Sequence, residues 1–219
     1  MQKLIETETS LKTRITTSPD GTRTYAIIKT IENLSGGRGI FVLLYPTRTP
    51  ENLHVEDSTN VHILNHLKEL GLSRYTIINL FSTVTKSKLS TRGLALDKDN
   101  MEFIRNNIFK NYNASSDKLI IAWGNSHQTS KTINQAKLEI LKMWAEMYQN
   151  TEVYQLSANG LAKDNIGVHP LYMGIRFSNA PWKLTAYPIL KAIKDLASLD
   201  KKEPISSQTK PQKPGSVKK

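Results

Sequence analysis

Four short apolar runs constrain this chain more than anything else in it. They are Gly39 to Tyr45 (GIFVLLY), Tyr75 to about Asn79 (YTIIN), Leu119 to Trp123 (LIIAW) and Thr151 to Leu156 (TEVYQL). The first three show no polar alternation, which suits strands buried on both faces. Pro46 ends the first, because it brings no N–H to a ladder, and Gly124 ends the third. Helical periods lie between the runs. Ile63, Leu64, Leu67 and Leu70 form one face, with Asp57 or Ser58 as cap and Gly71 as stop. A second helix starts near Asp97 or Asp99. A third carries Ile133, Ala136, Ile140, Leu141, Trp144, Met147 and Tyr148 at helical spacing, and a last helix starts near Pro188.

Strands alternating with helices predict an α/β fold, with a mainly parallel central sheet flanked by helices. Ahead of it, two β-prone runs flank Pro19, Asp20 and Gly21, which predicts an N-terminal β-hairpin over about 11–30. The predicted organisation is one α/β domain over 1–199, its core starting near 38, followed by a disordered basic tail over 200–219.

The net charge is +11, and the tail from Lys201 onward holds six lysines against one glutamate. A chain this basic attracts polyanions, so nucleic acid is the expected partner, DNA before RNA. The tail is rich in Lys, Pro and Ser and reads either as a solubilising segment or as a loose phosphate-binding arm. No cysteine is present, so disulfides and thiolate metal sites are excluded. No apolar stretch reaches bilayer length, so no membrane partner is expected and the expected location is cytoplasmic.

In parallel sheets, ligands bind outside the carboxyl ends of the strands. The residues there are Tyr45, Pro46 and Thr47; Asn79, Leu80 and Phe81; Trp123, Gly124, Asn125 and Ser126; and the loop that reaches His169 and Pro170. They are predicted to converge on one crevice. The Asn79 amide has a donor and an acceptor to set against a base edge. His169 suits a carbonyl oxygen, and Tyr45 or Phe81 can stack on a ring. Against this, Asn79 also suits a turn cap, His169 a buried loop, and Trp123 a core. His62 and His66 stand four apart on a helix, but they fall opposite its apolar face with no glutamate between them. They read as a solvated face, and no metal or other cofactor is expected.

The ordered set of residues 45–47, 57–59, 79–81, 123–124 and 169–172 resembles domain of unknown function family 1643. The resemblance spans about residues 38–190 and implies no activity. The same strand ends also resemble those of the uracil-DNA glycosylase superfamily. That resemblance implies the superfamily's fold, with Asn79 as base reader and His169 beside the departing uracil. It also implies Leu171, Tyr172 or Met173 as a wedge behind a flipped nucleotide. Tyr45 stands where the glycosylases place a water-activating Asp or Asn, and a phenol is a poor general base at neutral pH. Asp57 is the available carboxylate near the first loop.

Three functions follow as expectations. The first is a DNA-binding protein that recognises an extruded or single-stranded base, uracil being the one implied, with weak or no glycosylase activity. The second is an active base-excising glycosylase. The third is an interaction module for a replication or repair protein. Charge gives the first test. Nucleic-acid binding should weaken steeply with salt, and deleting residues 201–219 should lower affinity and flatten the log–log slope. Salt-independent binding in a filter or anisotropy assay contradicts the phosphate-binding reading.

Overall fold

The computed structural model describes residues 4–86 and 89–201. The basic tail expected over 200–219 lies outside the described residues from 202 onward. A seven-stranded sheet organises the chain. Its strands are β1 (Leu11–Thr17), β2 (Thr24–Ile31), β3 (Gly37–Leu43), β4 (Leu72–Asn79), β5 (Asp117–Ile121), β6 (Val153–Ala158) and β7 (Trp182–Ala186). Their order is β1-β2-β4-β3-β5-β6-β7.

The four apolar runs form the central strands, and these are parallel: β4 with β3, β3 with β5, and β5 with β6. The sheet as a whole is mixed, which corrects the expectation of a mainly parallel one. The hairpin β1–β2 extends it antiparallel to β4, and β7 closes the other edge antiparallel to β6. Strand β7 was not expected. Its five residues, WKLTA, alternate weakly in burial, as an edge strand does.

The helices are α1 (Ser58–His66), α2 (Lys98–Phe103), α3 (Lys131–Met147), α4 (Pro170–Arg176) and α5 (Ile189–Lys201). A π turn, Ile104–Ile108, continues α2. Strand alternation sorts the core onto two faces. In β3, Ile40 and Val42 pack with α3 residues Ile133, Ala136, Ile140 and Trp144. Phe41 and Leu43 point the other way, to Ile63 and Leu67 near α1 and Met173 of α4. All of these are buried, and each fully buried aliphatic contributes roughly 1.5–3 kcal/mol.

This two-faced burial moves the histidines of α1. His66 is buried and stacks on Trp182 with ring centroids 4.0 Å apart, and its Nδ1 lies 2.8 Å from Glu69 Oε2. The same Glu69 oxygen accepts the Trp182 N–H. His62 packs on Gly174 of α4. The expected solvated face is therefore a second packing face, and Gly174 is what lets α1 and α4 approach. Among the described residues no group of three or more His, Asp or Glu side chains could hold a metal ion, and no helix is long and apolar enough to cross a membrane.

A Cβ at position 174 would stand 2.1 Å from the His62 ring. Gly174→Ala should therefore destabilise the fold by about 1–3 kcal/mol through overpacking. Thermal denaturation measures this; an unchanged melting temperature contradicts the close packing of the two helices.

Candidate functional site

From β3 the chain crosses to β4 on one side, and later to β5 on the other. The carboxyl ends of β3 and β5 therefore flank the point where strand order reverses, and open α/β sheets bind ligands there. A cavity of about 660 Å³ opens at that point. Tyr45, Pro46, Thr47, Asp57, Asn79, Trp123, Gly124, His169, Leu171 and Tyr172 all line it. Phe81 does not.

Asn79 ends β4, opposite Leu43 in register. Tyr75 and Ile77, four and two residues earlier, fill the α1 side of the core. Period two continues that apolar row into Asn79, so its amide points into the cavity. The side chain is 2% exposed, and Oδ1 is buried with no hydrogen-bond partner. Leaving such an acceptor unpaired costs about 1–3 kcal/mol. Phe81 turns to the opposite face and is buried among the α3-side residues. It cannot stack on a ligand held by Asn79, so the role expected for it is withdrawn. Leu80 is likewise core.

His169 is the cap residue of α4, a helix that the sequence reading missed because it has only seven residues. Pro170 occupies the first helical position, where a missing N–H costs nothing and a fixed φ helps. His169 Nδ1 accepts the Leu171 N–H at 3.1 Å. That bond assigns the neutral tautomer with its proton on Nε2. Burial pushes the imidazole pKa down to about 4, and the Asp57 carboxylate opposes the shift only partly. At neutral pH the cavity therefore meets an uncharged N–H donor.

The loop that carries His169 is tied to the sheet. Gly124 N–H donates to the Gly167 carbonyl at 2.8 Å, and Gly167 N–H donates to Gln155 Oε1 at 2.9 Å. Gly124 has φ +73°, and a Cβ there would lie 3.1 Å from His169 Cβ. Any side chain at 124 would strain the backbone and crowd the histidine. Beside it, Trp123 is both core and cavity wall, 5% exposed and edge-on to Tyr187 at 6.2 Å. Lys137 lies over the Trp123 ring, with Nζ 5.6 Å from its centroid, and burial lowers its pKa to about 8.

Asp57 caps α1. Its Oδ1 accepts the Asn60 N–H at 2.8 Å and Asn60 Nδ2 at 3.0 Å, and its Oδ2 accepts the Thr47 hydroxyl at 3.1 Å. Asn60 is held in turn by the Tyr75 hydroxyl at 2.8 Å. The loop before Asp57 is clamped by Glu56, which pairs with the buried Lys29 and, at 2.9 Å, with Arg48. Arg48 also donates to the Asn52 and Leu53 carbonyls, each at 2.8 Å. Asn60, Asn165 and Ile175 are wall residues that sequence reasoning missed; only Asn60 left a signal, three positions after a capping Asp. At the mouth, Leu171, Tyr172 and Ile175 are 37%, 42% and 67% exposed, whereas Met173 is fully buried and cannot be a wedge.

An open α/β domain with a strand-end cavity, largely apolar and set with a few polar groups, is the class that fold and site define. A profile of the family described as "Protein of unknown function (DUF1643)" matches residues 25–171. The chain belongs to that family. No curated protein and no solved structure matches it.

Between the ordinary histidine value of 6.5 and about 4, the unfolded chain binds a proton at His169 that the native protein does not. Stability should therefore fall as pH drops through that window and level off below it, and His169→Asn should remove this component. Proton NMR of the ring checks the cause directly; a ring that titrates near 6.5 in the native protein contradicts it.

Proposed function

We propose that the cavity holds a nucleobase presented by a nucleic-acid strand, with Asn79 pairing to its edge and His169 Nε2–H donating to a carbonyl oxygen. The observation that carries this reading is the buried Asn79 side chain, its Oδ1 without a hydrogen-bond partner, at the end of an apolar row. A base edge offers an adjacent N–H and C=O that the amide can meet together. The neutral imidazole supplies the donor such a carbonyl needs, with no charge to desolvate. Trp123 and Tyr45 give aromatic walls, and exposed Leu171 and Tyr172 at the rim suit the gap beside an extruded nucleotide. The basic body and the tail suit the phosphate backbone.

The likeness of the strand ends to the uracil-DNA glycosylase superfamily supports uracil as the base, DNA as the strand and the superfamily fold as the scaffold. Tyr45 in place of a carboxylate or carboxamide supports weak or absent excision. Recognition without turnover is therefore the reading, and base excision is the second. The placement of Asp57 on the cavity wall keeps that second reading in view.

Asn79→Asp replaces the amide donor with an acceptor and adds a charge that base carbonyls repel. The preference for a uracil-containing single strand over the matched plain strand should fall by about 1–3 kcal/mol. Plain-strand affinity should change little, because phosphate contacts carry it. Competitive anisotropy with matched oligonucleotides, plus an alkaline-cleavage assay for excision, measures both. An unchanged preference ratio contradicts the base-reading role of Asn79.

A further inference from the structure

The wall formed by Asp57 and Thr47 has a property that base recognition does not use. Thr47 commits its hydroxyl proton to Asp57 Oδ2. Asp57 Oδ1 is filled by two donors from Asn60. What remains toward the cavity is one acceptor position on Oδ2 and the lone pairs of Thr47 Oγ1. Among the described residues no cation pairs with this carboxylate, because Lys29 and Arg48 both pair with Glu56 instead. The wall is acceptor-only and negatively charged. This carboxylate would repel a phosphate, and neither Asp57 nor the Thr47 hydroxyl offers a carbonyl a donor.

The cavity is also larger than a planar base requires, at about 660 Å³, so it has room for the sugar as well. With the base edge at Asn79 and His169, the part of the ligand that meets Asp57 and Thr47 must bring donor protons, and the donors of a nucleoside's sugar are its hydroxyls. A nucleotide within DNA has none to bring, since its 3′ and 5′ oxygens are esterified and it has no 2′ oxygen. A ribose does, and the 2′-hydroxyl is the group by which proteins tell RNA from DNA. Resting on the base reading above but replacing DNA as the strand, we infer that the pocket takes a ribonucleoside unit, with a sugar hydroxyl donating to the Asp57–Thr47 pair. The ribose belongs either to a free nucleoside or to an RNA strand, and the two share this chemistry.

The test titrates the full-length chain with uridine and 2′-deoxyuridine, and with matched single strands bearing one uracil on ribose or on deoxyribose. Uridine should bind about tenfold more tightly than 2′-deoxyuridine, the effect of about one hydrogen bond to a charged acceptor. Asp57→Asn keeps a good helix cap, and Thr47→Val keeps the side-chain shape. In both variants the ribose-to-deoxyribose ratio should collapse to within about twofold while uracil preference survives. A ratio that also appears between the two strands identifies RNA as the source; a ratio confined to the nucleosides identifies a small molecule. Equal binding of ribose and deoxyribose ligands, with uracil preference intact, overturns the sugar assignment and leaves the base reading standing. A ratio unchanged in both variants overturns the assignment to this wall. Absence of any uracil preference overturns both readings together.

Discussion

The site depends on one polar side chain placed where the strand period calls for an apolar one. Tyr75, Ile77 and Asn79 share a face of β4, and the first two are packed in the core. Asn79 completes the row at the rim, buried and with Oδ1 unpaired. A buried orphan acceptor destabilises a fold by about 1–3 kcal/mol, so its neighbours must be rigid enough to hold it. They are: the strand is bonded on both sides, to β2 and to β3, and Asn100 Nδ2 donates to the Asn79 carbonyl at 2.8 Å. Strain of this kind is characteristic of sites where local rules yield to binding.

Around that amide the protein sets two walls of opposite character. His169 presents a neutral donor because its other nitrogen is occupied by capping α4 and because burial disfavours its charge. Asp57 presents acceptors because α1, Asn60 and Thr47 fix its oxygens. Both polar groups are helix caps, so each is oriented by backbone rather than by free rotation. The Lys29–Glu56–Arg48 cluster serves the same end one step further out, since it fixes the loop between β3 and α1 with buried charge pairs. Breaking a buried pair by removing one partner costs about 3–5 kcal/mol, so these pairs hold the loop in place.

Much of this was legible in the sequence, for identifiable reasons. Continuous apolar runs mark buried parallel strands, and the rule that ligands bind past their carboxyl ends then selects Tyr45, Thr47, Asn79, Trp123 and His169 without any contact information. Phe81 failed because the chain leaves the strand after Asn79, and period two no longer decides which face a side chain takes. β7 failed because a short edge strand carries almost no pattern, and α4 because seven residues are too few for a helical period. His62 and His66 failed because a helix packed against two neighbours has no solvent side where the simple wheel places one. Asn60 and Tyr75 act through side-chain bonds between distant segments, which no local pattern encodes.

The central claim is that the Asn79 amide is the group that meets the ligand. Side-chain amide resonances of ¹⁵N-labelled protein, assigned by comparison with Asn79→Asp, follow that group directly during a titration with a uracil-bearing single strand. The Asn79 amide signal should shift in step with saturation, and a matched strand with an abasic position should leave it in place. A saturating titration that moves signals elsewhere but leaves Asn79 unperturbed would contradict the account.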